Sequence, residues 1–141
     1  MFHKIIKNIF HFAGNILRKA KIAYLRGMGV KIGKNTNISL RAKIDTRRGK
    51  IEIGDNCYIT YGCIILSHDM AAKRINPNDD GSGRVIIEDN VYIAVNSVIL
   101  RNVRIGRNSI IGACSVITKD VPPDVVVVGN PQKIIRYLEK R

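Results

Sequence analysis

The chain has 141 residues, with 24 Lys and Arg against 11 Asp and Glu, a formal net charge of +13. That length fits one domain with a short appendage rather than two full cores. An apolar fraction of 45% argues against disorder, and no run approaches the ~18 uncharged apolar residues of a membrane span.

The charge is concentrated at one end. Ten Lys and Arg precede the first acidic residue, Asp45, so residues 1–44 carry +10. Anionic lipid, nucleic acid and a polyanionic small molecule are all partners such a tract could attract. Within it, Phe2, Ile5, Ile6, Ile9, Phe12, Ala13, Ile16, Leu17, Ala20 and Tyr24 recur at helical spacing. Lys4, Lys7, His11, Arg18 and Lys21 fall largely off that stripe. The pattern predicts an amphipathic, basic helical segment over residues 1–28, with an interruption near Gly14-Asn15. Such a helix could cap an open core, pack on a partner subunit, or touch a membrane peripherally through residues 1–26. Its recurrent charges and short apolar stretch do not read as a secretory signal.

From residue 29 to residue 130 a period of six dominates. Ile87, Ile93, Ile99, Ile105, Ile111 and Ile117 recur without a slip, and Ile32, Ile38, Ile44 and Ile53, Ile59, Ile65 share the spacing. Six fits neither a helix nor a simple alternating strand. It suits a chain that turns a corner every hexad, so that three hexads make one coil of a triangular prism. One β-branched side chain per hexad then points inward and stacks on its equivalent one coil away, ~4.8 Å distant. Small residues fall at the corners, and Cys57 and Cys63 share that position. With Cys114 they are read as reduced thiols of a cytoplasmic protein.

The repeat breaks twice. Nine residues separate Ile44 from Ile53, which predicts an enlarged corner around Arg47-Arg48-Gly49. Between Ile65 and Ile87 the stretch 69–84 is polar and rich in turn signals, and is read as a loop thrown out of the prism. Loops on a rigid scaffold carry chemistry. Of the three histidines, His3 and His11 lie in the basic helix, and His68 stands alone at this break. After the Gly129-Asn130-Pro131 turn, residues 131–141 are predicted to form a short helix over the last coil's unpaired edge.

Ile53-Gly54-Asp55-Asn56, Ser67-His68-Asp69, Ile105-Gly106, the run from Ile111-Gly112-Ala113 through Thr118-Lys119-Asp120-Val121-Pro122-Pro123, and Gly129-Asn130-Pro131-Gln132-Lys133 carry a resemblance. From about Lys31 onward the chain resembles the hexapeptide-repeat acyltransferases, and most closely their galactoside, maltose and exopolysaccharide O-acetyltransferase branch. The resemblance implies a mainly β fold, a left-handed parallel β-helix, assembled as a homotrimer, with acetyl-CoA as acyl donor and a sugar or glycan-precursor hydroxyl as acceptor. Because one prism wall is flat, clefts between prisms would hold the two substrates.

The resemblance also implies roles. His68 matches the general base, and imidazole suits proton removal near neutral pH. Ala94 and Val95 match the place of the backbone oxyanion donor, although Val95 departs from the usual Ser or Gly. Ala113 matches a main-chain contact with the pantetheine arm, and Thr118, Lys119, Lys133 and Arg136 match further coenzyme contacts. Lys133 stands where Arg is frequent, giving a point charge in place of a fork. Asp45 and Asp69 are acceptor-binding candidates. Direct transfer in a ternary complex is expected, since no G-x-S-x-G nucleophile is present. An N-acetyltransferase on an amino-sugar nucleotide or small xenobiotic, and a noncatalytic β-helix scaffold, stay open as alternatives. A metal site needing about three wall histidines is not expected. Nor is nucleic-acid binding, because the tract's aromatics sit on the apolar stripe.

Overall fold

The computed structural model describes residues 1–139. It opens with α1 (Phe2–Gly27), which runs through Gly14-Asn15 without the expected interruption. One interior Gly costs a helix about 1 kcal/mol, too little to break it. The chain then winds into coils of short strands. The first coil holds β1 (Lys31–Ile32), β2 (Asn37–Ile38) and β3 (Lys43–Ile44). The second holds β4 (Lys50–Ile53), β5 (Tyr58–Ile59) and β6 (Ile64–Ile65). After an excursion containing α2 (Ala71–Ile75) come β7 (Arg84–Ile87), β8 (Tyr92–Ile93) and β9 (Val98–Ile99), then β10 (Val103–Ile105), β11 (Ile110–Ile111) and β12 (Val116–Ile117). β13 (Val125–Val128) and β14 (Lys133–Tyr137) close the prism.

The strands form three walls. Wall A stacks β1-β4-β7-β10, wall B stacks β2-β5-β8-β11-β13-β14, and wall C stacks β3-β6-β9-β12. Stacking follows the hexad: Ile59 aligns with Ile93 and Ile111, and Ile65 with Ile99 and Ile117. Ile38, Ile65, Ile93, Ile99, Ile105, Ile111 and Ile117 are wholly buried. Each such side chain contributes about 1.5–3 kcal/mol through burial, which is how a chain without Trp builds a core. Cys57 and Cys63 pack at corners as expected, their thiols donating to the carbonyls of Glu88 (3.0 Å) and Ala94 (3.1 Å). Burial pushes the Cys57 thiol above its ordinary value.

The corners use a device that small residues alone do not explain. Asn35, Asn56, Asn90, Asn96, Asn102 and Asn108 all adopt left-handed backbone, with φ between 54° and 60°. Asn tolerates that region better than other residues with a Cβ, because its short amide bonds locally. Successive corners are bonded to one another: Asn90 Nδ2 donates to Asn108 Oδ1 (3.1 Å), and Asn108 Nδ2 to Asp124 Oδ1 (2.7 Å).

The predicted C-terminal helix is a strand. β14 pairs antiparallel with β13, Val128 opposite Lys133 and Val125 opposite Tyr137. The free edge of β13 presents unpaired backbone groups, and a segment rich in Ile and Tyr satisfies them as a strand. The edge is therefore covered as expected, by a different element. Residues 140 and 141 of the predicted helix lie outside the described part.

The walls differ on their outer faces. Wall A carries cross-coil ion pairs, Arg84 with Glu52 (2.6 Å), Lys31 with Glu52 (3.8 Å), and Arg104 with Glu88. Wall B presents Tyr58 against Tyr92, ring centroids 6.3 Å apart, in register with Ile110. Wall C presents Ile64, Val98 and Val116 in one row.

Candidate active site

His68 sits where the chain leaves wall C for the excursion. The base of that excursion is zipped as an antiparallel pair. His68 bridges Ser82, the Asp69 N–H donates to the Gly81 carbonyl (2.7 Å), and the Gly83 N–H donates to Ser67 (2.8 Å). Arg101, one coil on, clamps the loop with two bonds to the Asp79 carboxylate (3.0 and 2.6 Å) and one to the Ser82 carbonyl (2.9 Å). The backbone that carries the imidazole is thus fixed against the returning strand of the loop.

The enlarged corner of the coil below supplies its partner. Asp45 follows β3, and its Oδ2 is hydrogen-bonded to His68 Nδ1. The two side chains are 3% and 14% exposed, enough burial for the pair to be shielded from water. Oδ2 also accepts from the Ser67 N–H and hydroxyl (both 3.4 Å), while Oδ1 accepts from the Arg47 N–H (3.2 Å) and Nε (3.3 Å). Burial alone would raise the Asp45 carboxyl, but the bonds from His68 and Arg47 outweigh it and hold the group below its ordinary value. Gly49, at φ +73°, closes the corner against Ser67, where a Cβ would fall 2.9 Å from the Ser67 Cβ. With Nδ1 engaged by Asp45, Nε2 is the ring nitrogen left for other chemistry, and among the described residues it makes no hydrogen bond.

Asp69 stands beside His68 in sequence, but among the described residues its carboxylate makes no hydrogen bond to the imidazole. Its Oδ1 accepts from the Ala71 N–H (2.8 Å) at the start of α2.

The remaining predicted residues divide between two corners. Hydrogen-bond register places Thr118 in one column with Leu100 and Leu66. Thr118 and Lys119 therefore share the His68 corner, about 10 Å away by two coil spacings. Their N–H groups both donate to Gln132 Oε1 (2.7 and 3.0 Å), and Gln132 Nε2 returns a bond to the Lys119 carbonyl (3.1 Å). Gln132, which the sequence analysis did not single out, thus ties the Thr118-Lys119 turn to the C-terminal strand. On that strand the register slips between Val126 and Val127. As a result Lys133 opposes Val128 and Arg136 opposes Val126, so the two basic residues share one face of the sheet.

Ala94, Val95 and Ala113 occupy the other end of wall C, at its corner with wall B. The Ala94 N–H is spent on the Ile111 carbonyl (2.9 Å). The Val95 N–H is not paired among the described residues, and neither is the N–H nor the carbonyl of Ala113. Those groups are free to meet a ligand. Within one chain they lie a full wall away from His68, roughly 17 Å for five extended residues. A single chain therefore does not bring the two sets together. Two hollows lie elsewhere: one of about 390 Å³ is lined by Glu88, Arg104, Arg107 and Pro122, and one of about 460 Å³ by Ile6, Lys7 and Phe10. Among the described residues no group of His, Cys, Asp and Glu could hold a metal ion.

Two family models match: "Bacterial transferase hexapeptide (six repeats)" over residues 84–119 and "Hexapeptide repeat of succinyl-transferase" over residues 29–67. The galactoside O-acetyltransferase of Escherichia coli is 32% identical, over 97% of this chain and 68% of its own length. A hexapeptide-repeat acetyltransferase of Vibrio cholerae, solved with acetyl coenzyme A, is 32% identical with a TM-score of 0.66, over 79% of this chain and 61% of that one. The polySia-specific acetyltransferase NeuO is 30% identical with a TM-score of 0.67, over 79% of this chain and 54% of that one. The chain thus spans between about half and two thirds of the lengths of these relatives. The stacked hexads, the break at His68 and these matches place the chain in the hexapeptide-repeat acyltransferase family.

Proposed function

We propose that this protein transfers an acetyl group from acetyl-CoA to a hydroxyl of a sugar or glycan precursor. The observation that carries the reading is His68 itself, fixed through Nδ1 by Asp45 with Nε2 left free at the base of the excursion from the prism. Asp45 acts as a positioning residue, in place of the acceptor contact expected of it. Its carboxylate fixes the tautomer with the proton on Nδ1 and stabilises the imidazolium when it forms.

The acceptor hydroxyl gives its proton to His68 Nε2 as its oxygen attacks the thioester carbonyl carbon. The oxyanion that forms accepts a hydrogen bond from the Val95 N–H. Collapse breaks the C–S bond, and the His68 imidazolium returns the proton to the departing thiolate, leaving the ester and free coenzyme A. No acyl-enzyme is formed. Ala113 offers an unpaired N–H and carbonyl to the amides of the pantetheine arm, and Lys119, Lys133 and Arg136 offer charge to the coenzyme's phosphates.

Since His68 and Val95 stand a wall apart, this chemistry requires a neighbour. We infer a homotrimer in which His68 of one chain faces Val95 and Ala113 of the next. Cyclic assembly needs two different complementary faces on each chain. Wall B with Tyr58 and Tyr92, and wall C with Ile64, Val98 and Val116, provide them. A cytoplasmic location fits three unpaired thiols. Asp69, at the lip of the excursion, is the remaining acceptor-side candidate.

The test is release of coenzyme A thiol over a panel of sugars, with His68→Ala alongside. A loss of about 10²-fold or more is expected for a general base. An unchanged rate would remove His68 from the mechanism.

A further inference from the structure

α1 is joined to the prism only by its last two turns. Leu25 is buried and Ile22 packs against the core. Lys21 Nζ donates to the carbonyls of Ser39 (2.8 Å), Leu40 (3.1 Å) and Ala42 (2.5 Å), and the Arg26 guanidinium to those of Ile32 (2.8 Å) and Gly33 (3.1 Å). The preceding turns carry Phe2, Ile5, Ile9, Phe12 and Ile16 exposed to solvent, Phe2 at 78% and Phe12 at 70%. Capping the prism does not account for them. Leu25 lies nine residues beyond Ile16, and at about 100° per residue that is half a turn around the helix. The prism grips one side of α1 and the apolar stripe faces the other.

What covers this stripe is indicated by charge. α1 contains six Lys and Arg and no acidic residue. Lys21 and Arg26 are engaged with the prism, and Lys4, Lys7, Arg18 and Lys19 lie off the apolar stripe. A second copy of α1 would bring two cationic helices together with no carboxylate between them. No described helix is long and apolar enough to cross a membrane. An in-plane helix with a Phe- and Ile-rich face and a Lys- and Arg-rich face fits the boundary of an anionic bilayer, its rings among the acyl chains and its ammonium groups at the headgroups.

We propose that α1 docks this protein on anionic lipid bilayers, held between the prism on one side and the membrane on the other. The proposal stands independently of acetyl transfer. The full chain, mixed with vesicles of phosphatidylcholine and phosphatidylglycerol, should sediment with them at least ~10-fold more strongly than with pure phosphatidylcholine, and salt should release it. Ile9→Asp/Phe12→Asp should abolish binding. Lys4→Glu/Lys7→Glu, at exposed positions that leave the core untouched, should remove the preference for the anionic vesicles. Failure to bind them, or equal binding to both vesicle types, overturns the proposal. So does a loss of oligomeric order in Ile9→Asp/Phe12→Asp without lipid, which would make a second copy the occupant of the stripe.

Discussion

The carboxylate of Asp45 holds the imidazole of His68 through Nδ1, across 23 residues of sequence and one coil of the prism. Removing one partner while keeping its shape isolates what the other contributes. Asp45→Asn should lower kcat for thiol release about 10- to 100-fold, with KM for acetyl-CoA little changed. Asp45→Asn combined with His68→Ala should be no slower than His68→Ala alone, because a positioning residue has nothing left to position.

The same carboxyl links stability to pH. Its folded value lies below the ordinary 3.8, so its contribution is present above that value and lost as pH falls through the lower one. Wild type should therefore melt above Asp45→Asn at pH 6, and the gap should narrow as pH is lowered below 3.8. A gap that widens on acidification would reverse the sign and remove the argument.

The core and the corners should respond differently to truncation. Ile99→Ala removes a wholly buried side chain and should cost about 2–5 kcal/mol in denaturant melts. Asn108→Ala forces a residue with no local amide into φ 59° and should cost about 1–2 kcal/mol. Asn108→Gly should cost less than Asn108→Ala despite losing the same hydrogen bonds, since Gly adopts positive φ freely.

Assembly is tested at wall B. Tyr92→Lys places a charge between Tyr58 and Ile110 in the middle of the wall B row. Sedimentation should show smaller species than wild type, and thiol release should fall with them. A dissociated chain that retains full activity would show that one prism suffices.

The prism was legible because stacking repeats the same demand every six residues, and Ile met it at every position from Ile87 to Ile117. The candidate site stood out for the converse reason, since His68 stands where that demand lapses. The Asp45–His68 bond was harder to read. It depends on how a nine-residue corner in one coil settles beneath the loop of the next, and periodicity carries no information about that. The left-handed corners left a signal that went unused, an Asn three residues after many hexad isoleucines, from Asn35 to Asn108. The C-terminal segment misled because Ile134, Ile135 and Leu138 also fit a helical face, and a run that short is settled by its neighbour. The exposed edge of β13 decided it.

The proposed division of reactive groups between opposite ends of wall C has a genetic consequence. A chain lacking His68 still carries a sound Val95–Ala113 corner, and a chain blocked at Ala113 by a bulky residue still carries a sound imidazole. Each would be inert alone, yet co-expression of the two should restore a fraction of turnover through mixed rings, whereas two lesions at the same corner should never rescue one another.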